Sequence, residues 1–348
     1  MKLKHIAGVL IAVSALVCAS SCTMGGRYME VSGFAQGGTY RVKMNLSGVD
    51  VPPDVIRTSI DSILTLVDTT LSGYNKGSQL SRFNSGEHVD PSPVFRDMYS
   101  YCYALYEETD GALDVASGPL FDLWGFGFRN DSLPSSEDVE RVLAACGMKR
   151  LAEEMPACRV SASDLLLPES GDALPVLNFN AVAQGYTCDL VASYLHSVGV
   201  KDMLVDIGEI YCEGKNPYGK GWSIGVDRPV DGNENPGADL DGIWVSDGNG
   251  CGIVTSGNYR KFYIRDGKKY AHTIDPGTGY PVDHNLLSAT VVAPNAAMAD
   301  AYATYCMVIG FDSAKSFINS RPDLEAYLIY DDGGVMKEWN SAGFTIVR

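Results

Sequence analysis

Apolar residues return at helical spacing in several stretches of the chain. After Pro52 and Pro53, the positions Val55, Ile56, Ile60, Ile63, Leu64 and Val67 recur every three or four residues and predict an amphipathic helix. Phe95 to Glu108 repeats the pattern through Met98, Tyr101, Cys102 and Leu105, with Gly111 as the stop. A third helix is predicted over Glu137 to Cys146, capped by Ser135 or Ser136 and followed by Gly147. A fourth runs from about Val182 to Val198, preceded by Asn180, and a last one from about Ala296 to Ile309. Thr39–Met44, Met203–Ile207, Ile210–Glu213, Trp222–Val226, Ile253–Thr255, Arg260–Ile264 and Ser288–Val292 have strand character. Residues 231–249, rich in Gly, Asn and Asp, read as a solvated loop. Helices and strands mix without regular alternation and no internal repeat is seen, so the fold class is α+β and not a doubly wound sheet.

The N-terminal pattern is of another kind. Lys2, Lys4 and His5 precede an unbroken run from Ile6 to Val17, which as a helix spans roughly 18 Å and falls short of a bilayer core. It reads as a signal peptide over residues 1–21. Ala19, Ser20, Ser21 and Cys22 then resemble a bacterial lipobox, with Cys22 as the lipidated residue of a tether over 22–30. The expectation is a lipid-anchored, periplasm-facing protein of the bacterial cell membrane, with one catalytic domain over 31–348.

Composition narrows the function. The 348 residues are 45% hydrophobic and carry a net charge of -16, which loss of Lys2 and Lys4 with residues 1–21 takes to about -18. Such a surface excludes a general nucleic-acid binder. An anionic substrate would need local help from a metal ion or backbone amides. Past Cys22, Cys102, Cys146, Cys158, Cys188, Cys212, Cys251 and Cys306 form no C-x-x-C and no Cys/His cluster, which argues against zinc. Cys146 and Cys158 remain a candidate bridge.

Two tempting motifs fail on context. Gly221-Trp222-Ser223-Ile224-Gly225 fits the nucleophile-elbow pattern but lies within strand residues, where no helix can follow. Asp231-Gly232-Asn233-Glu234-Asn235 starts like a calcium loop, yet Pro236 sits where Gly is required and Gly242 where a bidentate Glu is required. Four clusters carry chemistry instead. Asp300 and Thr304 stand at i and i+4 on one helix face, hard oxygens suited to Mg²⁺. His272-Thr273-Ile274-Asp275-Pro276-Gly277 places an imidazole and a carboxylate beside a turn. Asn178 to Tyr186 is read as the end of a strand entering a helix, where free backbone groups gather. Gly111-Ala112-Leu113-Asp114 precedes Trp124-Gly125-Phe126-Gly127.

These clusters, together with Gly37-Gly38-Thr39-Tyr40, Tyr74-Asn75, Ser81-Arg82-Phe83-Asn84, Gly118-Pro119-Leu120 and Thr255-Ser256-Gly257-Asn258-Tyr259-Arg260, resemble in order the ApbE family of FAD:protein FMN transferases. The resemblance implies an ApbE-like fold with largely antiparallel strands and an FAD site in a cleft between subregions. It implies Mg²⁺-dependent cleavage of FAD, transfer of FMN to a Ser or Thr of an acceptor flavoprotein, and release of AMP. Carried over by position, it implies Mg²⁺ on Asp300, Thr304 and the Ala181 carbonyl. FAD would contact Gly37, Tyr74, Ala112, Leu113, Asp114, Asn178, Gln184 and Ile274. His272 is the candidate base and Asp275 the next candidate. Gly37, Asn178 and Gln184 stand where members commonly carry Met, Asp, and Lys or Glu. The implied acceptors are subunits of Na⁺-pumping NADH:quinone oxidoreductase or Rnf-type complexes. A pyrophosphatase giving free FMN, and a non-catalytic FAD-binding lipoprotein, are the alternatives.

Overall fold

A computed structural model describes residues 27–87, 89–126, 133–154, 176–233 and 235–348. The chain begins with a hairpin, β1 (Tyr28–Ala35) and β2 (Gly38–Asn45). Helices α1 (Pro53–Leu71), α2 (Gln79–Asn84), α3 (Pro93–Glu108), α4 (Gly118–Leu123), α5 (Ser136–Ala145), α6 (Met148–Glu154) and α7 (Ala183–Ser197) follow. Next come β3 (Met203–Asp206), β4 (Ile210–Glu213), β5 (Ser223–Asp227), β6 (Leu240–Val245) and β7 (Cys251–Gly257). After them lie β8 (Phe262–Arg265), β9 (Lys268–Ala271) and β10 (Leu286–Ala293). The order closes with α8 (Ala296–Ile309), α9 (Phe311–Ser320), β11 (Glu325–Asp332), β12 (Val335–Asn340) and β13 (Ile346–Val347).

The predicted helices form for the predicted reasons. Helix α1 opens on Pro53, where a missing N–H costs nothing, and buries Ile56, Ile60, Leu64, Val67 and Leu71 along one stripe; Val55 lies outside it, exposed. Ser135 caps α5 in a reciprocal capping box with Asp138, and Gly147 follows at φ 104°.

Strands β1-β2-β3-β4-β7-β10-β11-β12 make one antiparallel sheet. Its side chains alternate between two dry interfaces. Val254, Ala289, Val291, Ala293, Ala326 and Leu328 join the core beneath α3 and α8. Leu204, Ile253, Val292, Tyr327 and Ile329 pack the opposite way, against Trp222, Ile224, Val226 and Trp244 of a smaller sheet in the order β13-β6-β5. Burial on both faces explains why the central strands read as near-continuous apolar runs. The architecture is α+β, with β8 and β9 forming a separate hairpin.

Three expectations change. Residues 28–30 belong to β1, paired with β2, so the tether does not reach residue 30. The loop predicted over 231–249 contains β6, whose Asp241 and Gly242 disguise a strand that is paired on both sides. Arg260 and Lys261 precede the strand β8 instead of opening it. The predicted signal peptide, Cys22, Gly127, Cys158 and Glu234 lie outside the described residues. Among the described residues no helix is long and apolar enough to cross a membrane.

Candidate functional site

The site is built on the crossing of α7 and α8. Gly185 faces α8 so closely that a Cβ there would lie 2.3 Å from the Ala296 carbonyl oxygen, so only glycine permits the approach. Its N–H donates to Asp300 Oδ2 at 3.0 Å. One turn further along α7, both oxygens of Asp189 accept from the first free N–H groups of α8, those of Ala296 and Ala297, each at 2.8 Å. A carboxylate there satisfies two orphan donors and the positive end of the helix dipole. Burial nevertheless pushes Asp189 up to about 6.

Asp300 is 5% exposed and has no ion-pair partner among the described residues. Burial, opposed by the Gly185 hydrogen bond and reinforced by the charge of Asp189, pushes its carboxyl up to about 7. Thr304 lies one turn on, its hydroxyl 3.3 Å from that of Ser256 on β7. Both residues, with Ala181, line a cavity of about 340 Å³. A buried carboxyl without an ion-pair partner, a hydroxyl and a backbone carbonyl are hard oxygen donors, the types that suit a hard divalent cation.

The same cavity is lined by Tyr74, Ala112, Leu113, Asp114, Asn178, Gln184, Ile274 and His272. Their local bonds show what each can offer. Asp114 spends its carboxylate on the N–H groups of Ala116 and Met148, so its side chain holds the loop. Asn178 Oδ1 accepts from Asn180 N–H, and Gln184 Nε2 donates to the Ile207 carbonyl. The segment before Asn178 is not a strand: Asn84 clamps Leu177 through both its N–H and its carbonyl. Tyr74 sits at the lip, largely exposed.

Two predicted residues stand apart from the lining. Gly37 is in the tight turn joining β1 to β2 at φ 81°, a position glycine adopts without strain. Asp275 faces its own turn, accepting from Gly277 N–H at 2.8 Å and from the Thr278 hydroxyl at 3.0 Å. Those two bonds tie its carboxylate to the turn's own donors.

His272 follows β9 and pairs with Lys261: its N–H reaches the Lys261 carbonyl, and its Nδ1 lies 3.0 Å from the same oxygen. That contact assigns the proton to Nδ1 and leaves Nε2 as the lone-pair acceptor. Burial, with the Lys261 charge, pushes the imidazole down to about 4, so it is neutral at pH 7. Phe126 meets the ring edge-on at 6.4 Å.

The sequence reading gave no role to Glu209, which lines the cavity from the turn between β3 and β4. Burial and the charges of Asp300 and Asp206 hold it well above the usual carboxylate range. Only its place beside Gly208 hinted at a turn. Lys261 also lines the cavity and supplies positive charge to a strongly acidic protein, beside Arg260, whose guanidinium is ion-paired with Asp227.

Comparison with known proteins bears on the family and the fold. The model of the ApbE family matches residues 36–328. The FAD:protein FMN transferase of Escherichia coli K12 is 34% identical over 309 residues, 87% of this chain and 84% of that one. Its counterpart from Haemophilus influenzae is 32% identical over 96% of both chains. The solved flavin transferase ApbE from Vibrio cholerae superposes with a TM-score of 0.74 at 30% identity, covering 91% of this chain and 97% of that one. The apo flavinyl transferase ApbE from Pseudomonas stutzeri gives 0.77 at 31% identity, covering 92% and 96%.

Proposed function

The chain belongs to the ApbE family, and we propose that, as a FAD:protein FMN transferase, it joins the FMN half of FAD to a Ser or Thr hydroxyl and releases AMP. The observation that carries this reading is the shared cavity: a neutral imidazole and an oxygen-only donor set line one space. Asp300, Thr304 and the Ala181 carbonyl would hold Mg²⁺ there, and the ion would neutralise charge on the FAD diphosphate.

His272, which lines the cavity and has Nε2 free of the Lys261 bond, takes the acceptor's hydroxyl proton. The hydroxyl oxygen attacks the FMN-side phosphorus, a phosphoester bond forms, and the bridging oxygen leaves with AMP. A low pKa keeps the ring a free base in the empty cleft. The diphosphate's negative charge then stabilises the imidazolium once substrate is bound. Lys261 helps admit that anion into an acidic protein.

The reading extends to place and partner. Lipidation at Cys22 would hold the domain on the exported side of the bacterial membrane. Flavinylated subunits of Na⁺-pumping NADH:quinone oxidoreductase or Rnf-type complexes are the acceptors it fits. The test is intact-mass analysis of an acceptor peptide incubated with FAD, enzyme and Mg²⁺. A gain of one FMN with stoichiometric AMP supports the transferase. Rapid AMP release that ignores the acceptor favours the pyrophosphatase, and FAD retention with no AMP favours a binder.

A further inference from the structure

Two cysteines outside the cavity are placed for chemistry of their own. Cys212 on β4 and Cys251 on β7 are directly opposed across the antiparallel pair, their sulfurs 4.0 Å apart. Opposed residues in such a pair hold their Cβ atoms about 4.5–5.5 Å apart, and a disulfide needs about 3.5–4.5 Å. A small strand adjustment closes the Cβ difference, and side-chain rotation brings the sulfurs from 4.0 Å to bonding distance. Other cysteine sulfurs are engaged elsewhere: Cys102 with the Met98 sulfur, Cys146 with the Leu143 carbonyl, and Cys188 with the Glu209 carbonyl.

The pair also sits at a meaningful place in the fold. The chain leaves the large sheet after β4, builds β5 and β6 over its second face, and returns as β7. Cys212 and Cys251 mark the two stems of that excursion, 39 residues apart. Access is asymmetric, because Cys212 is buried while Cys251 is half-buried at the start of β7, after the turn at Asp247 to Gly250.

We propose that Cys212 and Cys251 are a dithiol–disulfide couple that staples the β5–β6 excursion to the sheet. The Cys251 thiolate attacks a small-molecule disulfide, or that of a thiol–disulfide oxidoreductase, forming a mixed disulfide and expelling one thiolate. The Cys212 thiolate then attacks the Cys251 sulfur and expels the second. The protein loses two hydrogens, and the oxidant's disulfide becomes two thiols. Hydrogen bonding to Cys251 and burial push the Cys212 thiol well up in the dithiol form.

The full-length protein is equilibrated in glutathione buffers from reducing to oxidising, denatured in alkylating agent, and digested for peptide mass analysis. The expected result is a linked 212–251 peptide in oxidising buffer, with intact mass lower by two hydrogens. The thermal midpoint should rise over that of the reduced protein, while FMN transfer is unchanged, since neither cysteine lines the cavity. Cys251→Ser, the accessible partner, should fold and show no oxidation-dependent shift. Full alkylation of both cysteines in oxidising buffer, or a link from either to another cysteine, overturns the proposal. So does a bond that forms only in denaturant.

Discussion

Gly185→Ala adds one carbon at the α7–α8 crossing. That carbon would lie 2.3 Å from the Ala296 oxygen, 2.6 Å from its carbonyl carbon and 2.8 Å from Asp300 Cβ. Ordinary contact begins near 3.4 Å, so the helices must part by about 1 Å. Overpacking of this kind costs ~1–3 kcal/mol. Parting also stretches the Gly185 to Asp300 hydrogen bond, and such bonds to charged groups are worth ~1.5–3 kcal/mol. Alanine's better helix propensity returns ~1 kcal/mol, leaving a net loss of about 1.5–5 kcal/mol. Because Asp300 moves with α8, FMN transfer should fall about 10²-fold, the usual effect of a 1 Å misplacement. Urea unfolding gives the stability change, and initial rates against Mg²⁺ concentration give the second. Gly73→Ala, where a Cβ meets nothing within 4 Å, is the stability control. Unchanged stability and metal dependence in Gly185→Ala would refute the argument that this contact sets the position of Asp300.

Four further outcomes are expected. His272→Ala should bind FAD normally but transfer FMN at least about 10²-fold more slowly; near-normal single-turnover rates at saturating FAD would remove it as the base. Asp300→Ala should abolish FAD cleavage and Thr304→Ala should do less, since a neutral hydroxyl is the weaker ligand; full Asp300→Ala activity at low Mg²⁺ sinks that assignment. The Asp300 carboxyl stands near 7 in the fold against an ordinary 3.8, so the stability it contributes is complete below about 4 and is lost as pH rises through 7. Metal-free protein should therefore melt lower at pH 8 than at pH 5, Mg²⁺ should raise the midpoint more at pH 8, and Asp300→Asn should flatten both trends in a thermal-shift assay. Cys22→Ala should release the protein from membranes on fractionation; unchanged retention contradicts the lipobox reading.

Local patterns carried much of this protein where a helix has one apolar stripe or a strong cap. The stripe of α1 and the Ser135 cap of α5 could be read directly from residue order. Strand β11 could not: Ala326 to Ile329 are all buried, and a short run that is apolar on both faces has no periodicity to read. In the site, the i to i+4 spacing put Asp300 and Thr304 on one face, and the quoted clusters named most residues that now share the cavity. What stayed hidden depends on approach through space. Nothing along the chain brings Glu209 toward Asp300, or tells that Asp275 bonds its own turn while His272 is fixed by Lys261. The neutral state of His272 likewise follows from burial, which residue order does not encode.

The pairing of β13 with β6 sets a limit on how this protein can be made. Ile346 and Val347 lie against Trp244 and Ile243, and Phe344 stacks on Tyr327 beneath them. The second face of the large sheet is therefore closed by residues synthesised long after the strand they protect. Until then Trp222 and Trp244 have no finished cover, and the half-made chain presents a sticky surface to its surroundings. Folding of that face must wait for residue 347 to emerge from the ribosome or translocase.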